Sequence, residues 1–243
     1  MSLTVLNKVR EKWHGIQSRR HLTHSVKSEN GMGQHYTDAS HPVVRRSVAL
    51  AQETDAKDIL DLGAGRGLTS LALAKESGAR INATDINDIG LAELRDSASA
   101  QKLPVSTQVF NTTDTLPRPW ENRFDMVVAK DVLPFLPPGD VQPFLDNIAR
   151  ALRPGGWALV TAPSTRSRLC QEATPVDSLN DGFSRRLGQA AKDFIQTTVE
   201  RFNFENPKHL AEELDNAGLE LTEVQPFGRA KGWLWAIAQK PES

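Results

Sequence analysis

The stretch Asp61-Leu-Gly-Ala-Gly-Arg-Gly67 follows directly on the apolar pair Ile59-Leu60 and precedes a helical pattern. It reads as a strand ending in a glycine-rich turn that opens a helix. Glycine at every second position lets backbone N–H groups approach a ligand that any Cβ would keep away. The N-terminus of the following helix adds positive partial charge for an anionic group. In the dinucleotide fingerprint the third glycine falls one residue later, so this spacing disfavours a nicotinamide dehydrogenase.

From Asp58 onward, strand and helix patterns alternate. Strands are expected at Asp58–Leu62, 81–85, 105–110, Phe124–Ala129, 157–161, 219–224 and 233–238. The first intervening helix, Leu68–Ser77, is apolar at Leu68, Leu71, Ala72 and Ala74, with Gly78 placed to end it. A second runs through Leu91 and Leu94, with Asn87 or Asp88 as cap. The clearest carries Val141, Phe144, Leu145, Ile148 and Leu152 on one face, with Asp140 expected as N-cap. Pro154-Gly155-Gly156 should then turn the chain into the fifth strand. A further helix over 207–217 is capped by Asn206 and stopped by Gly218.

Such alternation builds a parallel sheet covered on both faces, joined by right-handed crossovers. Residues 225–232 are too few for a crossover helix, so the last two strands should pair antiparallel. The expected fold class is α/β: a Rossmann-like, doubly wound, seven-stranded sheet, mostly parallel with an antiparallel last strand. It should carry an N-terminal helical arm and a helical insertion after strand five.

Residues 1–41 form the arm. Leu3, Leu6, Val9, Trp13 and Ile16 approximate a helical stripe, and 21–41 is polar and unpatterned, as a lid would be. Residues 42–243 form the main domain. Within it, residues 163–206 are too many for an ordinary connection. Leu187, Ala190, Phe194, Ile195, Val199 and Phe202 there suggest one amphipathic helix. Arm and insertion together would roof a pocket, which favours a small-molecule substrate over a polymer. Arg166, Arg168, Arg185 and Arg186 in the insertion are candidates to meet an anionic group.

Bulk composition excludes several classes. With 39% hydrophobic and 24% charged residues, the 243-residue chain has ordinary globular make-up. A net charge of −1 provides no global field for a nucleic acid. No apolar run approaches the roughly 20 residues that cross a bilayer, so no membrane partner is expected. The single cysteine, Cys170, cannot form an internal disulfide, and a cytoplasmic location is expected. Charge is uneven, however: residues 1–50 carry eight Lys or Arg against Glu11, Glu29 and Asp38. His21, His24, His35 and His41 cluster there too, but no cysteine or carboxylate pattern completes a metal site, and none is expected.

The ordered series of motifs over residues 42–240 resembles the class I S-adenosylmethionine-dependent methyltransferases. Asp61-Leu-Gly-Ala-Gly-Arg-Gly67 looks like the family's first motif, and Asp85 stands where its second strand ends in an acid. Phe124-Asp125-Met-Val-Val-Ala-Lys-Asp-Val-Leu133 is similar to its fourth strand and following loop, and Leu152-Arg-Pro-Gly-Gly-Trp157 to the turn before its fifth. The resemblance implies S-adenosyl-L-methionine as cofactor, S-adenosyl-L-homocysteine as product, and a seven-stranded sheet with its last strand reversed.

It also implies roles. Gly63, Ala64, Gly65 and Gly67 would lie against the methionine carboxylate and ribose, with Asp61 orienting the turn or reaching the ammonium group. Asp85 would accept both ribose hydroxyls and Ile86 would pack on adenine. The family's acid after the third strand is absent: Thr112 stands there, so Asn111, Thr112 or Asp114 would meet the adenine amino group. Ala129 and Lys130 would face the methionine portion, and Tyr36, the only tyrosine, would close a lid over it. His35, His41 and Asp131 are the candidates for a general base, whereas Asp125 is read as structural, as are Trp233 and Trp235.

The Asn/Asp-Pro-Pro-Tyr motif of enzymes acting on exocyclic amines and amides is missing; Ala129-Lys-Asp-Val-Leu-Pro-Phe135 stands in its place. That argues against DNA-adenine and protein-glutamine substrates. Two alternatives to a small-molecule enzyme stay open: a protein or RNA methyltransferase working through the basic arm, and a regulatory protein that binds the cofactor without turnover.

Overall fold

The structure is a computed structural model that describes residues 25–27, 34–36, 40–176, 184–199, 201–228 and 231–242. The helix expected over residues 3–20 and the pair His21 and His24 lie outside the described residues. Within the arm, β1 (Ser25–Lys27) and β2 (Gln34–Tyr36) pair antiparallel, with Val26 opposite His35. The stretch read as unpatterned therefore contains a two-stranded ladder.

The main sheet is assembled from β3 (Asp58–Leu62), β4 (Arg80–Asp85), β5 (Val105–Val109), β6 (Phe124–Ala129), β7 (Leu152–Pro163), β11 (Glu220–Phe227) and β12 (Trp233–Gln239). Its order is β11-β12-β7-β6-β3-β4-β5. Strand β12 runs antiparallel to both neighbours, and the remaining pairings are parallel. The expected reversed last strand is present.

Every residue of β6 is buried, as a central strand with helices on both faces requires. Its alternate side chains divide between two cores. Met126 and Val128 pack with α1 (Pro42–Glu53), α2 (Leu68–Ser77) and α3 (Asp88–Ala100) through Val44, Leu73, Leu91 and Leu94. Val127 and Ala129 pack with α4 (Val141–Ala151) and α7 (Pro207–Asn216) through Phe144, Ile148, Leu210 and Leu214. Each large apolar side chain taken from water contributes about 1.5–3 kcal/mol. Asn87 and Asn206 cap their helices, Asn87 accepting from Ile89 N–H and Asn206 from Lys208 and His209 N–H.

Three local expectations are corrected. Asp140 sits at the N-cap of α4 but its side chain makes no cap bond, because a 3-10 turn over Pro138–Asp140 leads straight into the helix. Pro154-Gly155-Gly156 does not precede the fifth strand but lies inside β7, with Gly155 at φ 76° and its N–H given to Lys240 O. The insertion after β7 is not one helix. It comprises α5 (Arg168–Glu172), β8 (Thr174–Pro175), β9 (Ser184–Arg186), α6 (Gln189–Ile195) and β10 (Arg201–Asn203), the strands forming a sheet in the order β10-β9-β8. Helix α6 stops where Gln196 turns left-handed before Thr197-Thr198-Val199, a β-branched run. Phe202 then pairs opposite Arg185. Leu169, Cys170, Leu187, Ala191, Phe202 and Phe204 give the insertion its own core, against which Phe135 and Trp233 pack.

Among the described residues no helix is long and apolar enough to cross a membrane.

Candidate functional site

The site lies at the edge where the parallel strands end. Beyond β3, Gly63 and Gly67 hold φ of 74° and 80°, a region open mainly to glycine. Space enforces the choice as well. A Cβ on Gly63 would stand 2.4 Å from Val132 Cγ2, and one on Gly67 would stand 2.2 Å from Leu94 Cδ1. The turn is tied to the next strand by Ala64 N–H, which donates to Thr84 O at 2.7 Å.

Asp85 completes the tie at the end of β4. Its Oδ2 accepts from Gly65 N–H at 2.9 Å and its Oδ1 from Asn87 N–H at 3.0 Å. A carboxylate offers about four acceptor positions, so each oxygen keeps one for a ligand hydroxyl. Ile86 beside it is 56% exposed, an apolar face left in water at the rim. Gly90 lets α3 approach the turn: a Cβ there would meet Gly65 O at 2.7 Å. Its function escaped the sequence reading, although a glycine inside a helical stretch is the signal that finds such contacts.

Asp61 is buried and accepts from Ser70 Oγ at 2.6 Å, so it links β3 to the first turn of α2. Burial pushes its carboxyl up to about 6; the Ser70 bond and the Lys130 charge oppose the rise, and the Asp85 charge adds to it. Asn111 and Asp114 bind one another through Nδ2 and Oδ1 at 3.1 Å. Asn111 Oδ1 also accepts from the Thr113 hydroxyl, and Thr112 is buried with its carbonyl accepting from Asn147 Nδ2 at 2.9 Å. This loop is thus a self-bonded turn at the rim.

Past β6, Ala129 is fully buried and the chain enters Lys130 and Asp131. Asp131 holds φ 60°, a strained backbone for a residue with a Cβ. Thr161 of β7 stabilises it twice, accepting from Asp131 N–H at 2.8 Å and donating to Asp131 Oδ1 at 3.0 Å. Lys130 Nζ is ion-paired with Asp131 Oδ2. Burial works to raise the Asp131 carboxyl, but the Lys130 ammonium, aided by His41 and the Thr161 hydroxyl, holds it below the usual carboxylate range.

His41 caps α1, its Nδ1 accepting from Val43 N–H at 3.3 Å, and meets Phe227 edge-on. The structure brings His41 and Asp131 into one electrostatic neighbourhood, together with Lys130 and Asp61. His35 and Tyr36 are described as backbone of β2 alone.

Several residues prove structural. Asp125 accepts from Lys57 and Asp58 N–H at 2.6 and 3.0 Å and pairs with Arg153 at 2.7 Å. Trp235 stacks on Phe227 and donates Nε1–H to Glu223, which also binds Arg46. Trp233 packs on both the main core and that of the insertion. Arg168 of the insertion pairs with Glu172 at 2.7 Å.

On the flank of α7, Glu205, His209 and Glu213 bring three metal-ligating side chains together. Glu205 lies 2.6 Å from His209 Nδ1, whereas Glu213 lies 3.8 Å from Nε2. The two carboxylates lie against opposite nitrogens of the ring, and one ligand atom from each of the three residues falls within 4.8 Å of the others, so the group could hold a metal ion. Burial works to lower the His209 pKa, but the Glu205 bond and charge outweigh it and raise the value.

With this geometry in view, the chain was compared with known proteins. A family model described as a methyltransferase domain matches residues 59–156, which run from β3 into β7. A glycine/sarcosine/dimethylglycine N-methyltransferase from Actinopolyspora halophila is 29% identical over 171 residues, 69% of this chain and 30% of that protein. A ubiquinone biosynthesis O-methyltransferase from Coxiella burnetii is 32% identical over 104 residues, 41% of each chain. This chain spans less than half the length of either relative. Among solved structures, a 1,6-didemethyltoxoflavin-N1-methyltransferase from Burkholderia thailandensis, with 1,6-didemethyltoxoflavin and S-adenosylhomocysteine bound, superposes with a TM-score of 0.61. The superposition covers 99% of this chain and 91% of that one at 19% identity, a likeness of fold.

Proposed function

We propose that this chain, which belongs to the class I S-adenosylmethionine-dependent methyltransferase superfamily, transfers a methyl group from S-adenosylmethionine to a small-molecule acceptor. The observation that carries the reading is the bond from Gly65 N–H to Asp85, with exposed Ile86 beside it. One unit thereby offers a glycine-rich turn, a carboxylate with lone pairs to spare and an apolar shelf.

The residues fit the cofactor. Gly63, Ala64, Gly65 and Gly67 would lie along its methionine and ribose, Asp85 would take the ribose hydroxyls, and Ile86 would cover adenine. Asn111 or Thr112 would edge the adenine amino group, a donor that would share Asn111 Oδ1 with the Thr113 N–H and hydroxyl. Asp61, Ala129 and Lys130 would line the methionine end, and Tyr36 would close over it from the arm. When bound, the cofactor supplies a methyl group already activated by sulfonium. The protein's task is then alignment and exclusion of water, and orientation is worth ~7–11 kcal/mol in well-aligned systems.

Residues 163–206 and the arm would roof the site, which favours a small acceptor, and the lone cysteine suits a reducing compartment such as the cytoplasm. Two of the similar proteins carry names that specify small acceptors.

Calorimetry with S-adenosylmethionine and with NAD tests the cofactor: preference for NAD refutes the proposal. Methyl label chased from the cofactor into a fractionated cell extract, with mass identification of the labelled compound, tests the acceptor class. Label found only in protein or RNA would refute the small-molecule assignment. Removal of residues 1–41 should abolish turnover and leave folding intact; full turnover would reject the lid.

A further inference from the structure

Resting on that reading, we infer that Asp131 is the residue that receives the acceptor, and that the acceptor carries its exchangeable proton on oxygen or nitrogen.

Four features converge on Asp131. It adopts a left-handed backbone, which for a residue with a Cβ costs on the order of 1–3 kcal/mol. That conformation persists because Thr161, fully buried on β7, grips both the N–H and Oδ1. The next residue, Val132, packs directly on Gly63, which brings the loop after β6 against the turn assigned to the cofactor. Its side chain remains 21% exposed, open to an incoming molecule.

The neighbouring groups define its chemistry. Asp131 is bonded to the Lys130 ammonium and the Thr161 hydroxyl, and His41, the N-cap of α1, acts on it electrostatically. Lys130 keeps the carboxylate ionised, hence an acceptor of hydrogen bonds at neutral pH. His41 is poorly suited to the same duty. Its Nδ1 lone pair, the place where an uncharged ring would take up a proton, is already engaged by Val43 N–H.

In the resulting step, a lone pair of the acceptor oxygen or nitrogen forms the new bond to the methyl carbon. The S–CH3 bond breaks and leaves its electrons on a neutral thioether. The proton of the acceptor passes to a carboxylate oxygen of Asp131 and from there to water. Asp131 is thus a catalytic residue, and Thr161 a positioning residue that acts through it.

The test uses the full chain, S-adenosylhomocysteine, and the acceptor isolated from the labelled extract fraction. The variants are Asp131→Asn, Thr161→Val and Thr161→Ser. Calorimetry should find S-adenosylhomocysteine affinity within about twofold of wild type in all three, whereas acceptor binding to that complex weakens about tenfold in Asp131→Asn. Turnover should fall by ~10²–10⁴ in Asp131→Asn, the range of general-base loss. Thr161→Val should lose kcat with little change in KM for the cofactor, and Thr161→Ser, which keeps the hydroxyl, should restore it.

Four results would overturn the inference: full kcat in Asp131→Asn, no rescue by serine, loss of S-adenosylhomocysteine binding in Asp131→Asn, or a labelled product methylated on carbon or sulfur. A wild-type protein that does not bind S-adenosylhomocysteine would instead defeat the underlying cofactor reading, so the two failures are distinguishable.

Discussion

Asp85 accepts the backbone N–H of Gly65 at 2.9 Å, so the rim of β4 and the turn after β3 are joined as one hydrogen-bonded unit. Replacing Asp85 by alanine removes both the ligand contact and the partner of a turn N–H. S-adenosylhomocysteine affinity should fall by ~1–3 kcal/mol, roughly 5- to 150-fold, as measured by calorimetry. Unchanged affinity would remove Asp85 from the site.

Gly63 is constrained by backbone and by space together. Gly63→Ala should destabilise the fold by about 1–3 kcal/mol, combining a left-handed alanine with the 2.4 Å approach to Val132 Cγ2. In a Val132→Ala background the steric part vanishes and the backbone part stays. A double-mutant cycle by urea denaturation should therefore give a coupling energy of at least ~0.5 kcal/mol, and additive losses would reject the contact.

Asp61 should make cofactor uptake pH-dependent if it lines the methionine end as proposed. Its folded pKa is raised from 3.8 to about 6, so its contribution to the free protein's stability is full below about 3.8 and is lost as pH rises through about 6. A cationic ligand end nearby would restore ionisation and release a proton. Affinity for S-adenosylmethionine should then drop as pH falls below about 6. Calorimetry at pH 5.5 in buffers of different ionisation enthalpy should detect the released proton, and Asp61→Asn should eliminate it.

His209 gives the opposite end of the titration range. Its folded pKa is raised above 6.5, so the stability it contributes is full below about 6.5 and is lost as pH rises through the higher folded value. Thermal unfolding followed from pH 6 to 9 should show a decline attributable to this group. Glu205→Gln, which removes the charge 2.6 Å from Nδ1, should flatten that decline. An unaltered slope in the variant would assign the decline elsewhere.

Where neighbours in sequence decide the structure, the sequence was legible. The bounds of β3, α2 and β6 follow from an apolar run, a glycine stop and full burial, all local signals. The reversed β12 follows from a connection too short for a helix. Legibility ended where contacts come from far along the chain. Read from sequence, Phe202 belongs to one helical face with Leu187 and Ala190, yet strand pairing with β9 claims it. Nothing near Asp131 announces Thr161, thirty positions later, because neighbouring parallel strands bring residues together at separations the chain does not encode locally.

The order of glycines, acids and apolar runs thus determined the sheet, its reversed strand, and the placement of a carboxylate beside a glycine-rich turn. Those features depend on backbone conformation and burial periodicity, which each short segment carries within itself. Only the tertiary structure decided that Asp85 holds Gly65 and that Thr161 holds Asp131. Each depends on which donor lies within about 3 Å of which acceptor, and that is settled by packing β3 against β4 and β6 against β7.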